Sequence, residues 1–133
     1  MATSASATAV HEQLPAYPQS IAELRHAVID FAERSGASRG QRGTIALAVS
    51  EALSNVVVHA YVDQDEPGAM AVGAQINDDS LEVIVSDAGS GMQPRTDSPG
   101  AGLGLPLIAR VTERLEITDA KPGVCVHMTF AIG

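Results

Sequence analysis

Basic side chains are scarce in this chain of 133 residues: 8 Lys and Arg stand against 16 Asp and Glu, for a formal net charge of −8. A surface for nucleic acid or for an anionic membrane needs clustered Lys and Arg, so both are excluded as direct partners. Aromatic residues make up only 3% of a chain that is 45% hydrophobic. The core must therefore be aliphatic, built from Val, Ile, Leu and Ala, as expected of helices packed on a sheet. A lone cysteine, Cys125, cannot form an internal disulfide, which fits a reducing cytoplasm. No stretch approaches the ~20 apolar residues of a membrane-spanning helix. Residues 1–8 are mostly small and uncharged, without the basic start or apolar run of a signal peptide, and read as a flexible tail. Internal repeats and linker-like breaks are also missing. Residues 9–133 are thus expected to form one domain, large enough to bury roughly two-thirds of its unfolded surface.

What is present alternates between helical and extended patterning. Val10 to Leu14 reads as a short strand. Ser20-Ile21-Ala22-Glu23 reads as a capping box opening a helix with Ile21, Leu24, Val28 and Phe31 on one side, ended by Gly36. A second cap-like start, Ser38 to Gln41, opens a long helix whose apolar positions are Ile45, Val49, Leu53, Val56 and Ala60. Ala69 to Ile76 and Leu81 to Ser86 flank the turn Asn77-Asp78-Asp79-Ser80 as a hairpin. Leu103 to Thr112 is expected to be a third helix, followed by a hairpin of Arg114 to Thr118 and Val124 to Phe130 about Lys121-Pro122-Gly123. Helices before and between strand pairs predict a two-layer α/β sandwich, with a mixed, mainly antiparallel sheet covered by helices on one face.

Three segments carry chemistry. On the long helix, offsets of four return to nearly the same direction, so Glu51, Asn55 and His59 form a polar stripe on an otherwise apolar element. A carboxylate and a carboxamide on a largely buried helix are costly unless partnered. Taken alone, the stripe reads more readily as a solvated helix face, since most Glu and Asn on helices are exposed. The second segment, Leu81 to Gly91, is an alternating strand ending in Asp87, Gly89 and Gly91. Its acid can accept a hydrogen bond from an exocyclic amine, and glycines let backbone turn sharply beside a flat base; an ordinary strand-end turn reads the same way. The third is Gly100-Ala101-Gly102-Leu103-Gly104, whose unhindered N–H groups open a helix and suit phosphate oxygens. It is neither a Rossmann fingerprint nor a Walker A loop, since no strand closely precedes it and no Gly-Lys-Ser/Thr follows.

In this order the three segments resemble the N, G1 and G2 boxes of the GHKL (Bergerat) ATPase superfamily. The wording Ser-Glu-Ala-x-x-Asn-x-x-x-His-Ala-Tyr and the small size are similar to the anti-sigma factor serine/threonine kinases. The resemblance runs from about Ser20 to Phe130. It implies ATP and Mg²⁺ as cofactors, Asn55 as metal ligand, Glu51 as the base for an attacking hydroxyl, and Asp87 as reader of the adenine amino group. It implies Gly89, Gly91, Gly100, Gly102, Leu103 and Gly104 as nucleotide contacts. Mg²⁺ prefers hard oxygen ligands and retains water, so one Asn oxygen plus phosphate oxygens suffices. The implied partners are a sigma factor and an anti-anti-sigma (STAS) protein that receives the phosphate, with a homodimer expected by analogy. A nucleotide-dependent binding module of the same fold with little kinase activity is the alternative. A histidine-kinase catalytic domain is disfavoured, because no phosphoacceptor helix is read upstream. Two departures from the family stand out. The lid segment Met92 to Pro99, with Arg95, Thr96 and Ser98 in reach of a γ-phosphate, is short, and Gly123-Val124 stands where Gly-Thr is usual, so the Thr hydroxyl is replaced by Val124. His11, His26 and His127 read as surface or packing residues.

Overall fold

The computed structural model describes residues 9–90 and 105–132. In chain order the elements are β1 (Val10–Pro15), α1 (Pro18–Arg34), α2 (Arg39–Asn55), a π-helical turn (Val56–Ala60), β2 (Ala69–Asn77), β3 (Ser80–Asp87), α3 (Leu105–Val111), β4 (Arg114–Asp119) and β5 (Val124–Ala131). The strands form one sheet in the order β1-β2-β3-β5-β4, and every neighbouring pair is antiparallel. No parallel pair is present among the described strands, so the sheet is antiparallel throughout and not mixed as expected. The helices lie on one face of this sheet, giving the two-layer sandwich that the alternation predicts.

Strand parity explains the packing. On β2, Met70, Val72 and Ala74 are buried; on β3, Leu81, Val83 and Val85; on β5, Val124, Val126, Met128 and Phe130. Above them lie Leu24, Val28 and Phe31 of α1 and Ile45, Val49 and Leu53 of α2, an aliphatic core with Phe31, Tyr61 and Phe130 as its large aromatics. Ala32, Ala48 and Ala52, all buried, leave room for close approach of the helices. Arg25 Nη1 donates to Ser50 Oγ at 3.2 Å, tying α1 to α2 one residue before Glu51.

The helix ends follow sequence chemistry, with one correction. Helix α1 begins at Pro18, capped by the backbone of Tyr17 without a side-chain bond, and not at a Ser20–Glu23 capping box. Proline already lacks the N–H that a first helical position leaves unpaired, so it starts the helix three residues earlier. Ser20 then falls in the first turn, buried, its N–H donating to Tyr17 O at 2.9 Å. At the other end Gly36 takes φ +100°, and the Gly36→Glu33 and Ala37→Ala32 backbone bonds complete a Schellman turn. Helix α2 does open on a capping box: Gln41 N–H donates to Ser38 Oγ at 3.1 Å and Ser38 N–H to Gln41 Oε1 at 2.8 Å.

A second correction concerns length. Arg39–Ala60 forms 22 continuous helical residues, long and apolar enough by composition to cross a membrane, against the expectation that no segment is. The apolarity is accounted for by packing, because Ile45, Ala48, Val49, Ala52, Leu53, Val56 and Ala60 all belong to the core. The widening to a π-turn falls on Val56-Val57-Val58, whose β-branched side chains crowd a tight α-turn.

Because Ser38 satisfies an otherwise orphaned N–H of the helix that carries Glu51 and Asn55, Ser38→Ala is expected to lower stability by about 1 kcal/mol. A urea titration with unchanged slope and a lower midpoint is the result that checks it. Equal midpoints would show the cap to be dispensable.

Candidate functional site

The parity that fills the core also places an acid in it. Leu81, Val83, Val85 and Asp87 occupy successive inward positions of β3, so Asp87 lies in the row facing the helices, only 8% exposed. It is paired in register with Met70 of β2. Its Oδ1 accepts the Gly89 N–H at 2.9 Å, and the Val124 N–H also supports the carboxylate. Its Oδ2 is shielded from solvent and has no hydrogen-bond partner among the described residues. Burial drives the carboxyl pKa up, and the two N–H groups draw it back only in part.

Two glycines make this seat possible. A Cβ at Gly89 would overlap the carbonyl of Ala60, the last residue of the π-turn, so the strand end and the helix end touch through bare backbone. Gly123 takes φ +105°, and a Cβ there would overlap the Asp87 carbonyl oxygen. Tyr61 follows directly. Its hydroxyl donates to Ala69 O at 2.5 Å and accepts the Ala88 N–H at 2.9 Å. Burial raises the phenol pKa, with the nearby Asp87 charge adding to the shift against the Ala88 bond, so the hydroxyl keeps its proton at neutral pH.

On the helix, Asn55 closes α2 immediately before the π-turn and is 7% exposed. Glu51, one turn earlier, is half-buried, as is His59 in the π-turn. A turn closed by i→i+5 bonds advances less per residue than an α-turn. The drift that would carry His59 away from Glu51 is thereby partly cancelled. Gly91, Gly100, Gly102, Leu103, Gly104 and the segment 92–99 lie outside the described residues. Among the described residues, then, Glu51 and Asn55 come from α2, and Asp87 and Gly89 from the strand end that abuts its final turn. His11 and His26 are exposed and His127 lies on the open sheet face, away from this place. Sequence reasoning missed Tyr61, Gly123 and the Val124 N–H. The absent hydroxyl of Val124 drew notice, whereas its backbone is what meets Asp87.

A two-layer antiparallel sandwich with an acid buried at the strand end beside a helix carrying Glu and Asn defines the class of histidine kinase-like ATPase domains. The family model for that domain matches residues 14–130. The serine-protein kinase RsbW of Halalkalibacterium halodurans is 32% identical over 131 residues, covering 87% of this chain and 78% of the relative. RsbW of Bacillus subtilis is 30% identical over 135 residues, covering 90% and 83%. The fold is shared with a crystal structure of the RsbU and RsbW domains of a Mycobacterium tuberculosis protein, at TM-score 0.73 and 18% identity over 95% of this chain and 32% of that one. The chain belongs to the histidine kinase-like ATPase family and, within it, to the anti-sigma factor serine kinases typified by RsbW.

The raised pKa of Asp87 sets a pH dependence. A carboxyl whose folded-state value exceeds its unfolded value contributes stability at acid pH, and this is lost as pH rises through the folded value. The wild type is therefore expected to lose stability relative to Asp87→Asn, which cannot titrate there, over the pH range that opens at the ordinary Asp value of about 4 and extends upward. Paired urea melts across that range test this; a constant gap, or one moving the other way, removes the buried-acid account.

Proposed function

We propose that the protein binds Mg-ATP, transfers the terminal phosphoryl group to a serine or threonine of a STAS-type anti-anti-sigma protein, and sequesters a sigma factor, acting as a homodimer. The observation that carries the reading is Asp87 Oδ2, a buried acceptor without a donor, held beside the end of the helix that bears Glu51 and Asn55. An acceptor in that position suits the exocyclic amine of adenine and disfavours guanine, which offers a carbonyl there. The Gly89 and Val124 N–H groups orient the carboxylate so that its second oxygen is the one left to the base.

Among the described residues no group of three or more His, Cys, Asp or Glu is arranged to hold a metal. A divalent ion at Asn55 would take its remaining ligands from phosphates and water, as Mg²⁺ readily does, and would supply charge neutralisation for the transferred group. Glu51 accepts the proton of the attacking hydroxyl as the new oxygen–phosphorus bond forms and the bond to the departing diphosphate breaks. With a net charge of −8, the chain itself offers a triphosphate little electrostatic attraction, which makes the cation the more necessary. The relatives are named serine-protein kinases, in keeping with a hydroxyl acceptor.

Three substitutions divide this reading. Asp87→Asn turns an acceptor into a donor facing another donor, and should weaken ATP and ADP by about 1–3 kcal/mol in calorimetric titration while narrowing the preference over GTP, whose carbonyl can accept from the new donor. Asn55→Ala should impair both Mg²⁺-dependent binding and turnover. Glu51→Ala should bind ATP nearly as the wild type does, yet transfer phosphate to a STAS partner ~10²- to 10⁴-fold more slowly in single turnover. A wild-type protein that binds ATP and sigma factor but phosphorylates no STAS protein would instead establish a nucleotide-dependent binding module.

A further inference from the structure

Tyr61 has no part in the chemistry just described, yet its hydroxyl joins three separate pieces of the domain. The residue is the first after the π-turn that ends the α2 helix. The hydroxyl is donor to Ala69 O, at the start of β2, and acceptor from the N–H of Ala88, the residue directly after Asp87. Its ring covers Gly68, where a Cβ would come within 2.7 Å of a ring carbon. One residue earlier, the Ala60 carbonyl lies against Gly89, the residue whose N–H holds Asp87 Oδ1. Residues 60 and 61 therefore grip residues 88 and 89, one by contact and one by hydrogen bond, and Asp87 is the side chain presented by that grip.

From this geometry we propose that Tyr61 is a positioning residue for nucleotide recognition: its hydroxyl fixes the segment Asp87–Gly89 against the end of α2, so that the unpartnered Asp87 oxygen is held at a set distance from Asn55 and Glu51. The proposal rests on the nucleotide reading given above. A phenol is suited to the task because it donates and accepts at one atom, and bonds linked through one hydroxyl reinforce each other. Phenylalanine keeps the ring over Gly68 but leaves the Ala69 carbonyl and the Ala88 N–H without their shared partner. Tyr61 acts through Asp87, so its loss should be felt in nucleotide affinity and not in the transfer step.

The test compares wild type with Tyr61→Phe in the full chain. Amide hydrogen exchange without nucleotide should quicken by on the order of tenfold at Ala88 and Gly89 while the amides of β5 stay as slow as before. ATP and ADP should both bind about tenfold more weakly, with the single-turnover rate at saturating ATP unchanged. A second measurement does not depend on how well the variant folds. With Tyr17→Phe leaving Tyr61 as the sole tyrosine, 3-fluorotyrosine incorporation should give one fluorine resonance that moves on addition of Mg-ADP. Exchange that rises uniformly along with a fall in melting temperature, a lost transfer rate at unchanged affinity, or a fluorine signal indifferent to bound nucleotide would each overturn the proposal. If the wild type binds no adenine nucleotide, the nucleotide reading fails and the proposal falls with it; the exchange pattern then still reports separately whether the hydroxyl fixes the Asp87 segment.

Discussion

A carboxylate seated in the apolar row of a sheet is the constraint on which the rest of this structure depends. Asp87 continues the series Leu81, Val83, Val85, and its burial is unfavourable to the charged form. The fold compensates with backbone alone: the N–H groups of Gly89 and Val124 serve the carboxylate. Those donors can come so near only because glycine occupies 89 and 123, where any larger residue would strike the Ala60 or Asp87 carbonyl. Strand end, helix end and the turn before β5 are thus locked into one arrangement by a single acid. Compensation stops short of Oδ2, and that shortfall is what a ligand can fill.

The helix opposite answers a different demand. It must be apolar enough to form the core over the sheet and still deliver Glu51 and Asn55 at its far end. Its start is fixed by the reciprocal Ser38–Gln41 cap, its flank by the Arg25–Ser50 bond, and its end by a π-turn that lets backbone meet backbone at Gly89. Irregular helical geometry here is bound up with the site, since the carbonyl that faces Gly89 belongs to the widened turn.

Much of this was legible in the sequence. Period-two alternation gave β2, β3 and β5, the Ser38 cap gave the start of α2, and Gly36 gave the end of α1, because each signal is local and written in side chains. The start of α1 was misread because Ser20 and Glu23 match a capping pattern that Pro18 pre-empts by backbone geometry. The 22-residue helix was undervalued as a continuous apolar element because its glycines, Ser50, Glu51 and Ser54 interrupt the apolar run without interrupting the helix. Of the site, Glu51, Asn55 and Asp87 stood out by chemical type, and carrying the parity of Leu81, Val83 and Val85 one step further would have turned Asp87 inward. The contacts among Tyr61, Ala69, Ala88 and Gly89 join positions up to 27 residues apart through main-chain atoms. Main-chain partners leave no trace in residue type, so no pattern in the chain announces them.

The place of β5 has a consequence for how the domain is made. It enters between β3 and β4, so until Val124–Ala131 docks, the strand that ends in Asp87 has an unpaired edge, and the acid lacks the Val124 N–H. Pairing strands so far apart in sequence closes a long loop and is slow to form. During synthesis the seat of Asp87 is therefore completed only after β5 has been made. A product halted before Val124 would present an open, apolar sheet edge in place of the finished Asp87 seat, the kind of surface that invites aggregation and removal.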